Sequence, residues 1–86
     1  MRHATAADLD RLEELLSRLR AIPQLRERRP GSFSRGARAF LHFHAEGADV
    51  YADVKVGGSF TRMRVSSPAE QAAFLARVGN ELAGHP

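Results

Sequence analysis

Arg38-Ala-Phe-Leu-His-Phe-His44 and Asp49-Val-Tyr-Ala-Asp-Val-Lys-Val56, returned by Gly57-Gly58 as Phe60-Thr-Arg-Met-Arg-Val65, decide the fold of this chain. Apolar and polar residues alternate through these runs, which is the pattern of strands buried on one face. Gly57-Gly58 suits a two-residue type I′ loop, because both central positions of that turn need positive φ. Such a loop pairs Val56 with Ser59 and sets Lys55 opposite Phe60, Asp53 opposite Arg62 and Tyr51 opposite Arg64. Leu41, Phe43, Val50, Ala52, Val54, Met63 and Val65 then share one face, and Phe40, His42, His44, Tyr51, Asp53, Lys55, Phe60, Arg62 and Arg64 share the other. The Ala45–Asp49 connection admits two registers. One sets His42 opposite Asp53 and His44 opposite Tyr51; the other shifts each by two residues.

Helices flank this meander. Thr5-Ala-Ala-Asp8 reads as a capping box, and Leu9, Leu12, Leu16 and Leu19 follow at helical spacing, with Leu15 and Ile22 beside them. The spacing predicts one amphipathic helix of about four turns, ended by Pro23. Ser67-Pro-Ala-Glu70 opens a second helix with an N-cap, a proline at its first position and a Glu that closes the box. Phe74, Leu75, Val78 and Leu82 form its buried stripe, Gly84 its stop, and His85 and Pro86 are expected to fray. Pro30-Gly31 marks a turn between Leu25–Arg29 and Ser32–Ser34, so one or both stretches supply an extra edge strand before the meander. The expected architecture is a two-layer α+β domain over residues 1–86, in the order α-β-β-β-α with room for that edge strand. Its sheet is antiparallel and both helices lie on one face.

Composition narrows the class. An 86-residue chain builds one small core. No cysteine is present, which fits a reducing compartment such as the cytoplasm. No apolar run matches a signal peptide or a membrane span. The net charge is +3, and the basic residues are twelve Arg and a single Lys, Lys55. That preference for Arg matches a GC-rich, bacterial coding bias. The distribution of the charge is more informative. Between Arg18 and Arg38 lie seven Arg and one acid, Glu27, whereas the first helix carries Asp8, Asp10, Glu13 and Glu14. Arg26, Arg28, Arg29, Arg35 and Arg38 are therefore candidate contacts for an anionic partner such as nucleic acid.

The polar face of the meander is the candidate binding surface: Phe40, His42, His44, Tyr51, Asp53, Phe60, Arg62 and Arg64. Aromatics interleaved with Arg on a sheet can stack bases and hold phosphate. An exposed sheet with Phe residues also serves as a self-association or protein-contact face. His42 and His44, two apart on a strand, point the same way and with Asp53 make a weak candidate for metal ligation; Arg62 and Arg64 oppose a dication there. Gly57-Gly58 joins two strands and lacks the Lys-Ser/Thr pair of a phosphate loop. No catalytic set and no cofactor motif is specified.

Arg29-Pro-Gly-Ser-Phe-Ser, Ala39-Phe-Leu-His-Phe-His44, Ala52-Asp-Val54 and Ser67-Pro-Ala-Glu-Gln-Ala-Ala-Phe-Leu resemble stretches of small uncharacterised bacterial proteins, similar in outline to the luciferase-like domains of unknown function. That resemblance implies no activity. The element order is also similar to the YjbR-like group, labelled DNA-binding, and to the double-stranded RNA-binding domain. Ser67-Pro-Ala-Glu-Gln-Ala-Ala resembles the last helix of the latter, but Glu70 stands near the expected Lys cluster. The expected function is a non-catalytic binding domain that works through its open sheet face, with itself or a protein as partner. Nucleic-acid binding is the alternative, and a metal-dependent enzyme using His42, His44 and Asp53 is the third reading.

Overall fold

The computed structural model describes residues 2–84. Its elements run β1 (Arg2–His3), α1 (Ala6–Asp10), α2 (Glu13–Arg20), β2 (Leu25–Arg29), β3 (Ser32–Arg35), β4 (Arg38–Glu46), β5 (Asp49–Val56), β6 (Ser59–Arg64) and α3 (Pro68–Ala83). The fold is α+β, with an antiparallel sheet ordered β2-β3-β4-β5-β6 and β1 added beside β4. The expected fraying of His85 and Pro86 lies outside the described residues.

The meander register agrees with the one derived from the Gly57-Gly58 loop. Val56 pairs with Ser59, Asp53 with Arg62 and Tyr51 with Arg64. Both glycines have positive φ, +59° and +89°, the requirement that selects glycine there. Of the two registers open for the preceding hairpin, the molecule adopts the one with His42 opposite Asp53 and His44 opposite Tyr51. Leu41, Phe43, Val50, Ala52 and Val54 consequently face one core, joined by Leu12, Leu15, Leu16 and Leu19 from the first helical segment and by Phe74, Val78 and Leu82 from α3. One shared cluster places both helical layers on the same side of the sheet, and burial of that apolar surface is what holds the layers together.

Both capping boxes form. Thr5 N–H donates to Asp8 Oδ2 at 2.9 Å and Ser67 N–H to Glu70 Oε1 at 2.9 Å, each answered by the cap hydroxyl accepting the third backbone N–H.

Four features depart from the sequence expectation. The first helix is two, broken at Leu12 (φ −110°, ψ 16°). Leu9, before the break, and Leu12, at it, both lie in the core, 8% and 2% exposed. Leu25–Arg29 and Ser32–Arg35 are both full strands, making a hairpin rather than one ragged edge. Arg2–His3 forms β1, on no local pattern at all. Finally, Phe40 leaves the open face. Phe33 pairs with Leu41 but Ser34 with Ala39, so β4 carries one extra residue there, a β-bulge. The bulge rotates Phe40 into the core, where it is 3% exposed.

No helix among the described residues is long and apolar enough to cross a membrane.

Candidate functional site

The open face is organised around one carboxylate. Asp53, on the central strand β5, is 7% exposed although no helix covers it; its neighbours on the face bury it. From β6, Arg62 forks it, with Nε donating to Oδ1 at 2.8 Å and Nη2 to Oδ2 at 3.0 Å. From β4, His42 Nε2 lies 3.2 Å and His44 Nε2 3.0 Å from the same Oδ2. Residues two apart on a strand point the same way, so β4 delivers both rings together. The row His42–Asp53–Arg62 expected from the register is therefore present. His44 adds itself diagonally, reaching past its cross-strand partner Tyr51.

Electrostatics follow from this packing. The Arg62 hydrogen bonds hold the Asp53 carboxyl below its ordinary range, against the opposing effect of burial. Burial pushes the His42 imidazole down and outweighs the attraction of Asp53, with His44 and His3 adding to the depression. At neutral pH the pair is an ionised carboxylate beside a neutral His42.

The remaining predicted face residues divide. Phe60 is 45% exposed and packs edge-on against the His42 ring at 5.1 Å, with Lys55 Nζ 5.5 Å from its centroid. Tyr51 is half-buried. Arg64 turns away to the rim, where it joins Asp49 Oδ1 at 2.6 Å and Glu70 Oε2 at 2.9 Å, tying the start of β5 to the start of α3. Phe40 is absent from the face for the reason given above.

Two residues belong here that the sequence reading missed. His3, on β1, stacks on His44 with centroids 5.0 Å apart. Ser32 pairs with His42 and extends the row to Ser32–His42–Asp53–Arg62 across four strands. No hydrogen bond joins Ser32 to His42 among the described residues, so the row lacks the base–hydroxyl contact that activates a serine nucleophile. Neither residue carried a local signal: β1 has two residues, and Ser32 was placed by the β3–β4 pairing.

These same residues open onto a cleft. β3 and β1 pair along the same edge of β4 but stop short of each other, leaving Phe43 joined there only by Ala4 N–H donating to its carbonyl at 3.2 Å. The gap is a cleft of about 390 Å³ with His3, Arg29, Ser32 and His42 among its polar lining and Leu9 and Phe43 among its apolar lining.

The arginines form two populations. Arg2, Arg11, Arg18, Arg20, Arg62 and Arg64 each pair with a carboxylate. Arg26, Arg28, Arg29, Arg35 and Arg38, together with Arg77 on α3, form no ion pair among the described residues. Arg28 instead donates to Ser34 Oγ at 2.9 Å and to the Gly36 carbonyl at 3.3 Å. The Arg18–Arg38 run thus splits where the chain leaves α2: its helical part is neutralised by Glu13, Glu14 and Glu27, and its strand part is not. That strand part occupies the β2 edge of the sheet and the start of β4.

Compared with known proteins, the chain matches no family model, no curated protein and no solved structure. The reading of its surfaces rests on their own geometry.

Proposed function

We propose that this chain is a small non-catalytic binding domain whose partner is the phosphate backbone of a nucleic acid, engaged along the β2–β3 edge. The supporting observation is the division of the arginines: five of the six without an acidic partner among the described residues lie at one end of the sheet, while six elsewhere are paired. A guanidinium without a protein carboxylate is free to take a phosphate, and its planar fork suits that group. β2 is an edge strand, so these side chains meet a partner without rearrangement. The nearest aromatics, Phe33 and Phe40, are 2% and 3% exposed and offer no stacking platform. Binding on this reading follows charge and not base sequence. The work place we propose is the cytoplasm, in keeping with the cysteine-free composition.

Fluorescence anisotropy of labelled RNA and DNA oligonucleotides across a salt series tests this. The expected result is a logarithmic affinity that falls with log salt by about 0.7–0.9 per phosphate contacted. Arg26→Gln, Arg28→Gln and Arg29→Gln together should lower that slope by about 2–3, while Arg18→Gln leaves it unchanged. Absent binding at low salt, or equal effects of the two variants, overturns the proposal.

A second reading, self-association or a protein partner across the open face, is favoured by Phe60. It is the one exposed large hydrophobic residue among those described. Burial of Phe40 removes half of the Phe surface that such a face was expected to offer. A monomeric mass by light scattering at high protein concentration would remove the self-association arm.

A further inference from the structure

We infer that His42, His44 and Asp53 form a binding site for one divalent transition-metal ion. This site shares no residue with the arginine edge proposed to hold nucleic acid. Three donor atoms, the two His Nε2 and Asp53 Oδ2, lie within 4.8 Å of one another. Both imidazoles aim the same nitrogen at one carboxylate oxygen, at 3.2 and 3.0 Å. Metal–ligand bonds of about 2.0–2.2 Å give donor–donor edges of about 3.0 Å in an octahedral shell and about 3.4 Å in a tetrahedral one. Two of the three edges, imidazole to carboxylate, therefore already stand at coordination spacing, and the third, between the imidazoles, adjusts within its 4.8 Å limit as an ion enters.

The donor set selects the ion. Two imidazoles and one carboxylate suit zinc, iron, cobalt or nickel. Calcium and magnesium want oxygen ligands, and the cluster offers one carboxylate. Three protein ligands leave positions open for water or an exogenous group. Of the three ligands His42 also lines the cleft, together with His3, so an exogenous group would approach from that side. His3 belongs to the surroundings of the site, since it stacks on His44 and contributes no donor atom to the group.

Arg62 is the counterweight. Its Nη2 shares Oδ2 with the two imidazoles, so an ion bound there displaces that contact while Nε keeps Oδ1. The Arg62 side chain is 48% exposed and free to swing that far. It is then both an outer-shell hydrogen-bond donor to the ligating carboxylate and a positive charge repelling the metal. Removing the charge should tighten binding.

The test uses the full chain prepared without a histidine tag, stripped with a chelator and titrated with Co²⁺ by visible absorption and with Zn²⁺ by calorimetry. One ion per chain is expected, with ligand-field bands that report nitrogen and oxygen donors. His42→Gln and His44→Gln should each weaken Zn²⁺ binding by at least about tenfold. His3→Gln should leave it within about twofold, and Arg62→Gln should tighten it several-fold. His42 is part-exposed, so its variant keeps the fold if His44→Gln does not, and a melting curve checks this. No heat and no bands in the wild type overturn the inference. So does binding indifferent to His42→Gln, or an Arg62→Gln affinity equal to or weaker than wild type.

Discussion

Gly31→Ala should destabilise the domain well beyond the same change at Gly57, although both glycines sit in two-residue hairpin loops with positive φ. Gly31 has φ +76° and Gly57 φ +59°, and each donates its N–H to a carboxylate, Glu27 at 2.9 Å and Glu81 at 3.1 Å. Holding alanine in this left-handed region costs about 1 kcal/mol at either site. The sites differ in what a Cβ meets. At Gly57 nothing lies within 4 Å, whereas at Gly31 it would stand 2.7 Å from Leu9 Cδ2 and 3.2 Å from Leu9 Cδ1. The Leu9 methyls must move, and they belong to the core next to Phe43, so overpacking adds about 1–2 kcal/mol. The total of about 2–3 kcal/mol is a large share of the 4–13 kcal/mol, roughly, that a chain of this length possesses. At about 4–8 °C per kcal/mol, the melting point should fall by about 10–20 °C for Gly31→Ala and about 4–8 °C for Gly57→Ala. Leu9→Ala, which vacates the space, should bring the further cost of Gly31→Ala down to the backbone part alone. Thermal unfolding followed by circular dichroism on the four members of that cycle measures the coupling. Equal losses at Gly31 and Gly57, or zero coupling with Leu9, would refute the claim that Leu9 packs too closely on Gly31 to admit a Cβ.

Ser67→Ala removes the N-cap of α3 and should cost about 1 kcal/mol, read as a fall of about 4–8 °C in melting point. Phe74→Ala opens a cavity at a fully buried ring and should cost about 3–5 kcal/mol, read as a large fall in the urea midpoint. Asp8 has its carboxyl held far below its ordinary value, first by the Arg2 hydrogen bond and then by the Thr5 backbone N–H. The unfolded chain therefore takes up that proton first. The stabilisation is complete above about pH 4 and is lost as pH falls further. Asp8→Asn should be less stable than wild type at neutral pH, and the gap should close on acidification; a gap independent of pH would contradict this origin.

Much of the architecture was legible because it rests on short-range rules. Alternation in β4 and β5, the two-residue Gly57-Gly58 loop and the two capping boxes are properties of neighbours in the chain, so the β5–β6 register followed from them, and the row His42–Asp53–Arg62 belonged to one of the two β4–β5 registers they allow. The candidate site was legible to the same depth. Its polar face was correct wherever alternation held, and failed at Phe40, where a bulge set by pairing with β3 breaks the period. The helix break was hidden as well. Leucine spacing is compatible with one straight helix and carries no mark of the break at Leu12.

Charge patterning behaved likewise. Seven arginines between Arg18 and Arg38 could be counted in the chain, but which of them find a carboxylate depends on where α2 lies relative to β2, since Glu27 is answered by Arg20 at 2.7 Å across that contact. The chain order by itself determined the three-strand meander, the β5–β6 register and, Phe40 apart, the residues on its polar face, because side-chain direction in a strand is a local alternation. Only the tertiary structure decided that His44 shares the Asp53 oxygen with His42, that His3 stacks beside them, that a cleft opens between β1 and β3, and that the five arginines at the β2 end of the sheet form no ion pair among the described residues. Those are distances between residues far apart in sequence, fixed by packing on a common core, and no local period encodes them.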